Sequence, residues 1–310
     1  MPAVAITDHG NMFGAIDFYR AAEKAGIKPI IGCEAYMAPG SMIEKNATSA
    51  RDAAYHFTLL AKDITGYHNL VKLVSAAHLE GFHYKPRIDK ELLARYSAGL
   101  IGMSACLKGE INVAILAGDL KKAERSAGEF RDIFGDENFY LEFHDHGIEA
   151  QHVCNRALVE MSKRLGVPLV AANDVHFLER SHHEAHDVMI CIGTGAMVHD
   201  ERRLHYPTEV YFKSAEEMRT LFSEVPDALL NTLRIAEQCN LKLDFGVSKY
   251  PAYPPPQGTT REHYLRELCF AGLRERYGER AETDAELRNR LEYELSILEK
   301  TGFTSYFLIV

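Results

Sequence analysis

Three apolar segments of strand length end on side chains that commonly bind metals. They are VAITDHG at 4–10, IIGCEAY at 30–36 and LVAANDVHF at 169–177. Functional side chains at the C-terminal ends of strands, with helical segments between them, are typical of a (β/α) barrel whose site lies on one face. The sequence therefore predicts an α/β fold of the barrel type.

Composition limits the class of protein. The 310 residues, 46% hydrophobic and 25% charged, suffice for one large domain and part of another. A net charge of −9 argues against tight, sequence-independent nucleic-acid binding by this chain alone. The six cysteines form no CxxC pair, and the sequence shows neither a signal peptide nor an apolar stretch of about 20 residues. These features predict a cytoplasmic protein with reduced thiols and no membrane contact.

Strand-like and helix-like segments alternate in the first part of the chain. The predicted strands are 3–7, 30–36, 56–61, 100–104, 139–143 and 168–172, and the predicted helices are 11–25, 121–134 and 149–165. The strands are near-continuous apolar runs, typical of parallel strands buried on both faces. Because such a barrel has seven or eight strands, we expect the first strand and helix to be missing. The open edge would make the chain poorly soluble or self-associating.

A proline-rich segment, YPAYPPPQG at 250–258, predicts a linker between two domains. We expect residues 1–249 to form the barrel and residues 259–310 to form the incomplete beginning of a mostly helical domain. Capping boxes predict helix starts at Ser214 and at Thr283, and Gly302 is predicted to end the second of these helices.

Metal-ligand side chains cluster at the predicted strand termini. The candidates are His9, Glu34, His56, Cys106, Asp174 and His176. Mixed nitrogen, oxygen and sulfur ligands suit Zn²⁺, with Mn²⁺ or Fe²⁺ as alternatives. Asp174 and His176 alternate along a strand and can face one cavity. Adjacent Asp8 and His9 cannot both do so, and we therefore predict His9 as the ligand and Asp8 as a supporting or turn residue.

Each candidate also has a simpler interpretation. A single buried histidine is more often a hydrogen-bonded core residue than a ligand, and Cys106 alone would be a small buried hydrophobe. The coincidence of six candidates favours a metal site. Second-rank candidates are His144, His146 and Glu142. HHEAH at 182–186 lacks the HExxH arrangement and is predicted to be a solvated helix face. The histidines predicted at the surface are His68, His78 and His83.

Five motifs together resemble one protein family. They are TDHGNMFG at 7–14, GIKPIIGCEAY at 26–36, SACLKGEI at 104–111, NDVHF at 173–177 and YELSILEKTGFTSYFLIV at 293–310. These segments are similar to the PHP (polymerase and histidinol phosphatase) region of bacterial DNA polymerase III alpha subunits. TDHG alone would indicate only the PHP superfamily, whereas the apolar tail points to the replicative polymerases.

The resemblance implies a distorted seven-stranded (β/α) barrel that holds up to three metal ions, Zn²⁺ or Mn²⁺, at the C-terminal ends of its strands. The matching ligand positions are the six candidates named above. The family's first motif, an HxH pair followed by an aspartate, has no counterpart before Met1. We therefore expect at most one ion, held by Glu34, His56 and Cys106, and little catalysis. The chain also stops before the palm aspartates that bind Mg²⁺, so we expect no polymerisation and no catalytic residues beyond the metal ligands.

The implied function of the complete domain is phosphoester hydrolysis, as a 3′–5′ exonuclease acting for a DNA-directed DNA polymerase. Two alternatives remain: a non-catalytic structural or docking module of the replicase, and a free-standing PHP phosphatase. The implied partners are primer-template DNA, a sliding clamp, a clamp loader and an exonuclease subunit.

Overall fold

Seven strands of one curled, mixed sheet lie in the computed structural model of the protein, which describes residues 1–50, 52–246 and 251–310. The strands are β1 (Ala3–Ile6), β2 (Lys28–Met37), β3 (Tyr55–Ala61), β4 (Arg87–Ile88), β5 (Leu100–Met103), β6 (Phe139–Phe143) and β7 (Leu169–Ala171). Their order is β1-β2-β3-β5-β6-β7, and β4 pairs with β2. The sheet belongs to the first of two compact units, Met1–Leu243 and Asp244–Val310.

The direction of β3 differs from the prediction. All six predicted strands are present, and the predicted α/β barrel-type fold is confirmed. However, β3 is antiparallel to both β2 and β5, whereas the pairs β1-β2, β2-β4, β5-β6 and β6-β7 are parallel. The prediction that all these strands are parallel was therefore wrong. An apolar run indicates burial on both faces but carries no information about direction.

Helices connect and cover the strands. In the first unit they are α1 (Ala15–Lys24), α2 (Ile64–Leu79), α3 (Lys90–Arg95), α4 (Glu110–Leu116), α5 (Leu120–Phe134), α6 (Glu149–Leu165), α7 (His183–Thr194), α8 (Ala215–Leu221) and α9 (Pro226–Gln238), with a 3₁₀ turn at Arg180–His182. Asp63, Asp89 and Asp119 cap α2, α3 and α5 by accepting hydrogen bonds from backbone N–H groups of the first turn. Among the described residues, no helix is long and apolar enough to cross a bilayer.

Phenylalanines fill the space between the sheet and α5. Phe57 of β3 stacks on Phe130 of α5 with ring centroids 4.4 Å apart, and Phe139 of β6 lies 6.3 Å from Phe57. Gly102 of β5 faces the same cluster, where an added Cβ would lie 2.6 Å from the Phe134 ring. The residue at position 102 must therefore be glycine for the helix to pack this closely.

A buried arginine holds the connection between β2 and β3. The Arg87 side chain, 2% exposed as a residue, donates hydrogen bonds to the carbonyls of Gly81, Ala53, Met42 and Glu44. No carboxylate among the described residues forms an ion pair with it. Backbone carbonyls instead satisfy the guanidinium, whose planar fork of donors suits several acceptors at once.

The second unit is helical. It contains α10 (Arg261–Tyr277), α11 (Arg280–Thr283), α12 (Ala285–Thr301) and α13 (Thr304–Ile309). Gly302, in the left-handed conformation, ends α12 as predicted, and the capping box at Ser214 is also confirmed in the first unit. The predicted cap at Thr283 was wrong. Asp284 caps α12 instead, because its carboxylate accepts from the N–H groups of Glu286 and Leu287.

The domain limits predicted from the sequence stay predictions. The predicted boundary between residues 249 and 250, where the proline-rich linker 250–258 begins, falls at positions 247–250, which lie outside the described residues.

We predict that Arg87→Met lowers the free energy of unfolding by about 3 kcal/mol, because methionine leaves buried carbonyls without donors. Urea denaturation followed by circular dichroism measures the change. The matched control is Arg95→Met at an exposed ion pair with Glu91, where we expect a change within about 0.5 kcal/mol. Equal midpoints for the two variants would contradict a structural role for Arg87.

Candidate metal centre

Backbone pairing brings the first three candidate ligands together. His9 follows β1 and pairs with Glu34 of β2 through a parallel bridge, in which Gly10 N–H donates to the Glu34 carbonyl at 2.9 Å. His56 is the second residue of β3 and lies opposite Tyr36 of β2. Because β3 is antiparallel, its first residues lie at the same edge of the sheet as the C-terminal ends of the parallel strands. The antiparallel direction of β3 therefore explains why His56, near the start of its strand, lies beside candidate ligands at the ends of other strands.

Glu34 is the centre of this cluster. Its Oε1 lies 3.0 Å from Nδ1 of His9 and also contacts Nδ1 of His56. Burial alone would raise the pKa of the Glu34 carboxyl, but the hydrogen bonds with His56 and His9 outweigh burial and hold that pKa well below its usual range. The same bond with Glu34 raises the pKa of His9. One ligand atom from each residue lies within 4.8 Å of the others, so together they could hold an ion.

Cys106 adds a sulfur next to this cluster. Its Sγ lies 3.7 Å from Nδ1 of His56. The preceding residue, Ala105, has a φ of 59°, and its N–H donates to the Glu142 carboxylate at 2.9 Å. Burial raises the pKa of the Cys106 thiol well above its ordinary value. The thiol therefore keeps its proton unless a cation displaces it.

Asp174 and His176 approach from the segment after β7. Nδ1 of His176 lies 2.7 Å from the Asp174 carbonyl and must donate to it, because a carbonyl only accepts. The other ring nitrogen, Nε2, is buried and has no hydrogen-bond partner among the described residues. The His176 and His9 ring centroids are 5.9 Å apart. A metal ligand typically has this arrangement, with one ring nitrogen donating to a carbonyl and the other free to bind the ion. The side chains present therefore fit a metal ion.

The six candidates line one cleft of about 220 Å³. Its walls also include Lys108, His146, Gln151, Leu204 and Tyr206. Three of them, His9, Glu34 and His56, have their possible ligand atoms within 4.8 Å of one another. The assignment of all six as ligands stays a prediction. Asp8 is exposed and lies outside this cleft lining.

The remaining histidines have varied environments. The prediction of a solvated helix face at HHEAH is confirmed only in part, because His182 is exposed whereas His183 and His186 are half-buried. Nε2 of His183 donates to the Tyr206 carbonyl at 2.9 Å, and the His186 ring centroid lies 5.9 Å from that of His176. The loop at 204–207 causes this partial burial, because it packs beside α7. The spacing of the histidines in the sequence does not indicate that such a loop covers them. His68 and His78 are exposed as predicted, whereas His83 is half-buried.

The second-rank candidates are buried and hydrogen-bonded. Nε2 of His144 lies 3.0 Å from Glu142, and burial lowers the pKa of His146 to about 4. Two aromatic residues next to the candidate ligands were missed. Tyr36 lies two residues after Glu34 on the same face of β2, so strand alternation could have found it, and its ring is 5.3 Å from His56. The ring centroids of Tyr206 and His176 are 4.3 Å apart. No pattern in the sequence places Tyr206 near the candidate ligands.

The PHP domain family matches residues 1–146, which include strands β1 to β6 and the residues His9, Glu34 and His56 that could hold an ion. Residues 263–310 match the family described as bacterial DNA polymerase III alpha NTPase domain. Along its whole length the chain is 48% identical to DNA polymerase III subunit alpha of Borreliella burgdorferi and 39% identical to that of Thermus aquaticus. The chain belongs to this family of alpha subunits and corresponds to their N-terminal, PHP-containing region. It spans 27% and 30% of the length of these two relatives.

We predict that the purified chain binds Zn²⁺ or Mn²⁺ and that His56→Ala lowers the bound metal at least about tenfold, because it removes the imidazole that contacts both Glu34 and Cys106. Elemental analysis after gel filtration measures metal per chain. His68→Ala, on the exposed side of α2, serves as the matched control and should keep the wild-type content. Equal metal content in both variants would place the ion elsewhere.

Proposed function

We propose that the barrel is a metal-dependent phosphoesterase within a bacterial DNA polymerase III alpha subunit. The proposed ligands are His9, Glu34, His56, Cys106, Asp174 and His176. The observation that carries this proposal is the convergence of these side chains on one cleft, where Nε2 of His176 is buried and has no hydrogen-bond partner in the part of the chain that the structure describes. Mixed nitrogen, oxygen and sulfur donors favour Zn²⁺ or Mn²⁺ over Mg²⁺.

Each part of the cleft has a separate task in this proposal. When bound, divalent ions supply Lewis acidity toward a phosphoryl oxygen and acidify a water molecule. Glu34 offsets positive charge at the floor of the cleft, where its carboxylate is largely buried. Lys108 brings a cationic, exposed side chain to the wall, where a phosphate can bind. The His9 side chain is 44% exposed and faces incoming substrate.

The proposed substrate is the 3′ end of a DNA strand, and the reaction is 3′–5′ exonucleolytic hydrolysis. This proposal draws on the printed name of the relatives, DNA polymerase III subunit alpha. The parent subunit would catalyse template-directed DNA synthesis with Mg²⁺ in the cytoplasm, together with primer-template DNA, a sliding clamp, a clamp loader and an exonuclease subunit. The match at residues 263–310 argues against a free-standing phosphatase.

The test measures shortening of 5′-labelled DNA with a mismatched 3′ end by the alpha subunit that carries residues 1–310. We expect shortening that requires Zn²⁺ or Mn²⁺, stops in EDTA and falls at least about 100-fold in Cys106→Ala. Cys269→Ala, in α10 of the second unit, is the matched control and should retain activity. Primer extension by each variant reports whether the subunit is folded.

Two outcomes would contradict the proposal. Shortening that persists in Cys106→Ala would assign the activity to another site or to a contaminating nuclease. Metal-loaded protein that extends primers but hydrolyses no DNA would leave the barrel as a structural or docking module.

A further inference from the structure

The segment that carries Asp174 and His176 has an uncommon backbone conformation. Asp174 has a φ of 45°, in the left-handed region that few non-glycine residues adopt, although aspartate adopts it more readily than most. Contacts with the surroundings select this conformation over the extended one. The contacts of the preceding residue, Asn173, show which side chains do this.

His146 holds the segment from one side. Its Nε2 lies 2.9 Å from the Asn173 carbonyl and must carry the proton of that bond, because the carbonyl only accepts. The Gln151 amide nitrogen donates to Nδ1 of His146 at 2.9 Å, and the Gln151 oxygen accepts from the His146 backbone N–H at 2.8 Å. Gln151 thus fixes both the orientation and the tautomer of the ring. Both residues are buried, at 5% and 4% exposure.

The opposite side is held by the segment 209–213. The Asn173 side chain donates to the Tyr211 carbonyl and accepts from Nζ of Lys213 at 3.2 Å. The Lys213 ammonium also bonds the Glu209 carbonyl and lies 4.3 Å above the Tyr211 ring. His176 N–H donates to the Val210 carbonyl at 2.9 Å. The segment 209–213 thus bonds the Asn173 side chain and the His176 backbone. His146 instead bonds the carbonyl of the peptide group that joins Asn173 to Asp174.

From this geometry we propose that His146, oriented by Gln151, is a positioning residue: it holds the peptide before Asp174 and thereby aims Asp174 and His176 into the cleft. Both ring nitrogens of His146 are used in hydrogen bonds, which leaves none for a metal ion. The role in metal binding rests on the function proposed above, whereas the role in backbone geometry does not.

The test compares three variants of the full chain. His146→Phe keeps a ring of similar size but removes the donor, and His146→Gln restores a donor near the position of Nε2. His83→Phe is the matched control, because Nε2 of His83 also contacts a backbone carbonyl, that of Ala47, away from the cleft. Isothermal titration with Zn²⁺ gives affinity and stoichiometry, and thermal melting of metal-free protein reports stability.

We expect His146→Phe to weaken Zn²⁺ binding by about 10- to 100-fold with unchanged stoichiometry, the range typical when a partner of a ligand is removed. His146→Gln should recover most of the affinity, and His83→Phe should bind as the wild type does. A lowered stoichiometry would instead make His146 a ligand. Reduced thermal stability of His146→Phe with wild-type affinity would make its role structural only.

A second measurement separates this proposal from the proposed function. In a crystal structure of metal-free His146→Phe, we expect Asp174 to leave the left-handed region and Nε2 of His176 to turn from the cleft. If the wild type binds no Zn²⁺, the proposed function fails while this structure still decides the positioning role. An unchanged Asp174 in the variant would overturn the positioning role.

Discussion

The buried carboxylate of Glu34 connects the folding of the sheet with its chemistry. It lies on β2, the strand that pairs with β1, β3 and β4. Its Oε1 contacts the imidazoles of His9, which follows β1, and of His56 on β3. A carboxylate removed from water is costly unless cationic or hydrogen-bonding groups compensate it. The two imidazoles provide that compensation here, so the same geometry that satisfies a buried charge also gathers three atoms that could bind a metal ion.

Two kinds of support surround this cluster. Some candidate ligands are fixed by regular strand pairing, as His56 and Glu34 are. Others lie on irregular backbone, where Ala105 and Asp174 have positive φ angles and side chains such as Glu142 hold the neighbouring peptide groups. Irregular backbone aims side chains in directions that a strand cannot, and it therefore depends on additional buried hydrogen bonds.

The sequence predicted the strands, the cleft residues and the domain class because each depends on local pattern: apolar runs, ligand chemistry at their ends, and recognisable motifs. It failed where the outcome depends on distant contacts. The apolar run of β3 does not encode its reversed direction. The partial burial of His183 and His186 depends on a loop that follows α7, and the hydrogen bonds of His146 depend on Gln151 and Asn173. The cap at Asp284 differs from the prediction by one position because aspartate competes with the preceding threonine.

The positions of the candidate ligands along the chain have a thermodynamic consequence. They are contributed by β1, β2, β3 and the segments after β5 and β7, which span most of the first unit. An ion bound to all of them would act as a removable cross-link between distant parts of the chain. It would restrict the configurational freedom of the unfolded ensemble, as a disulfide does, and the restriction would grow with the length of the loops that it closes.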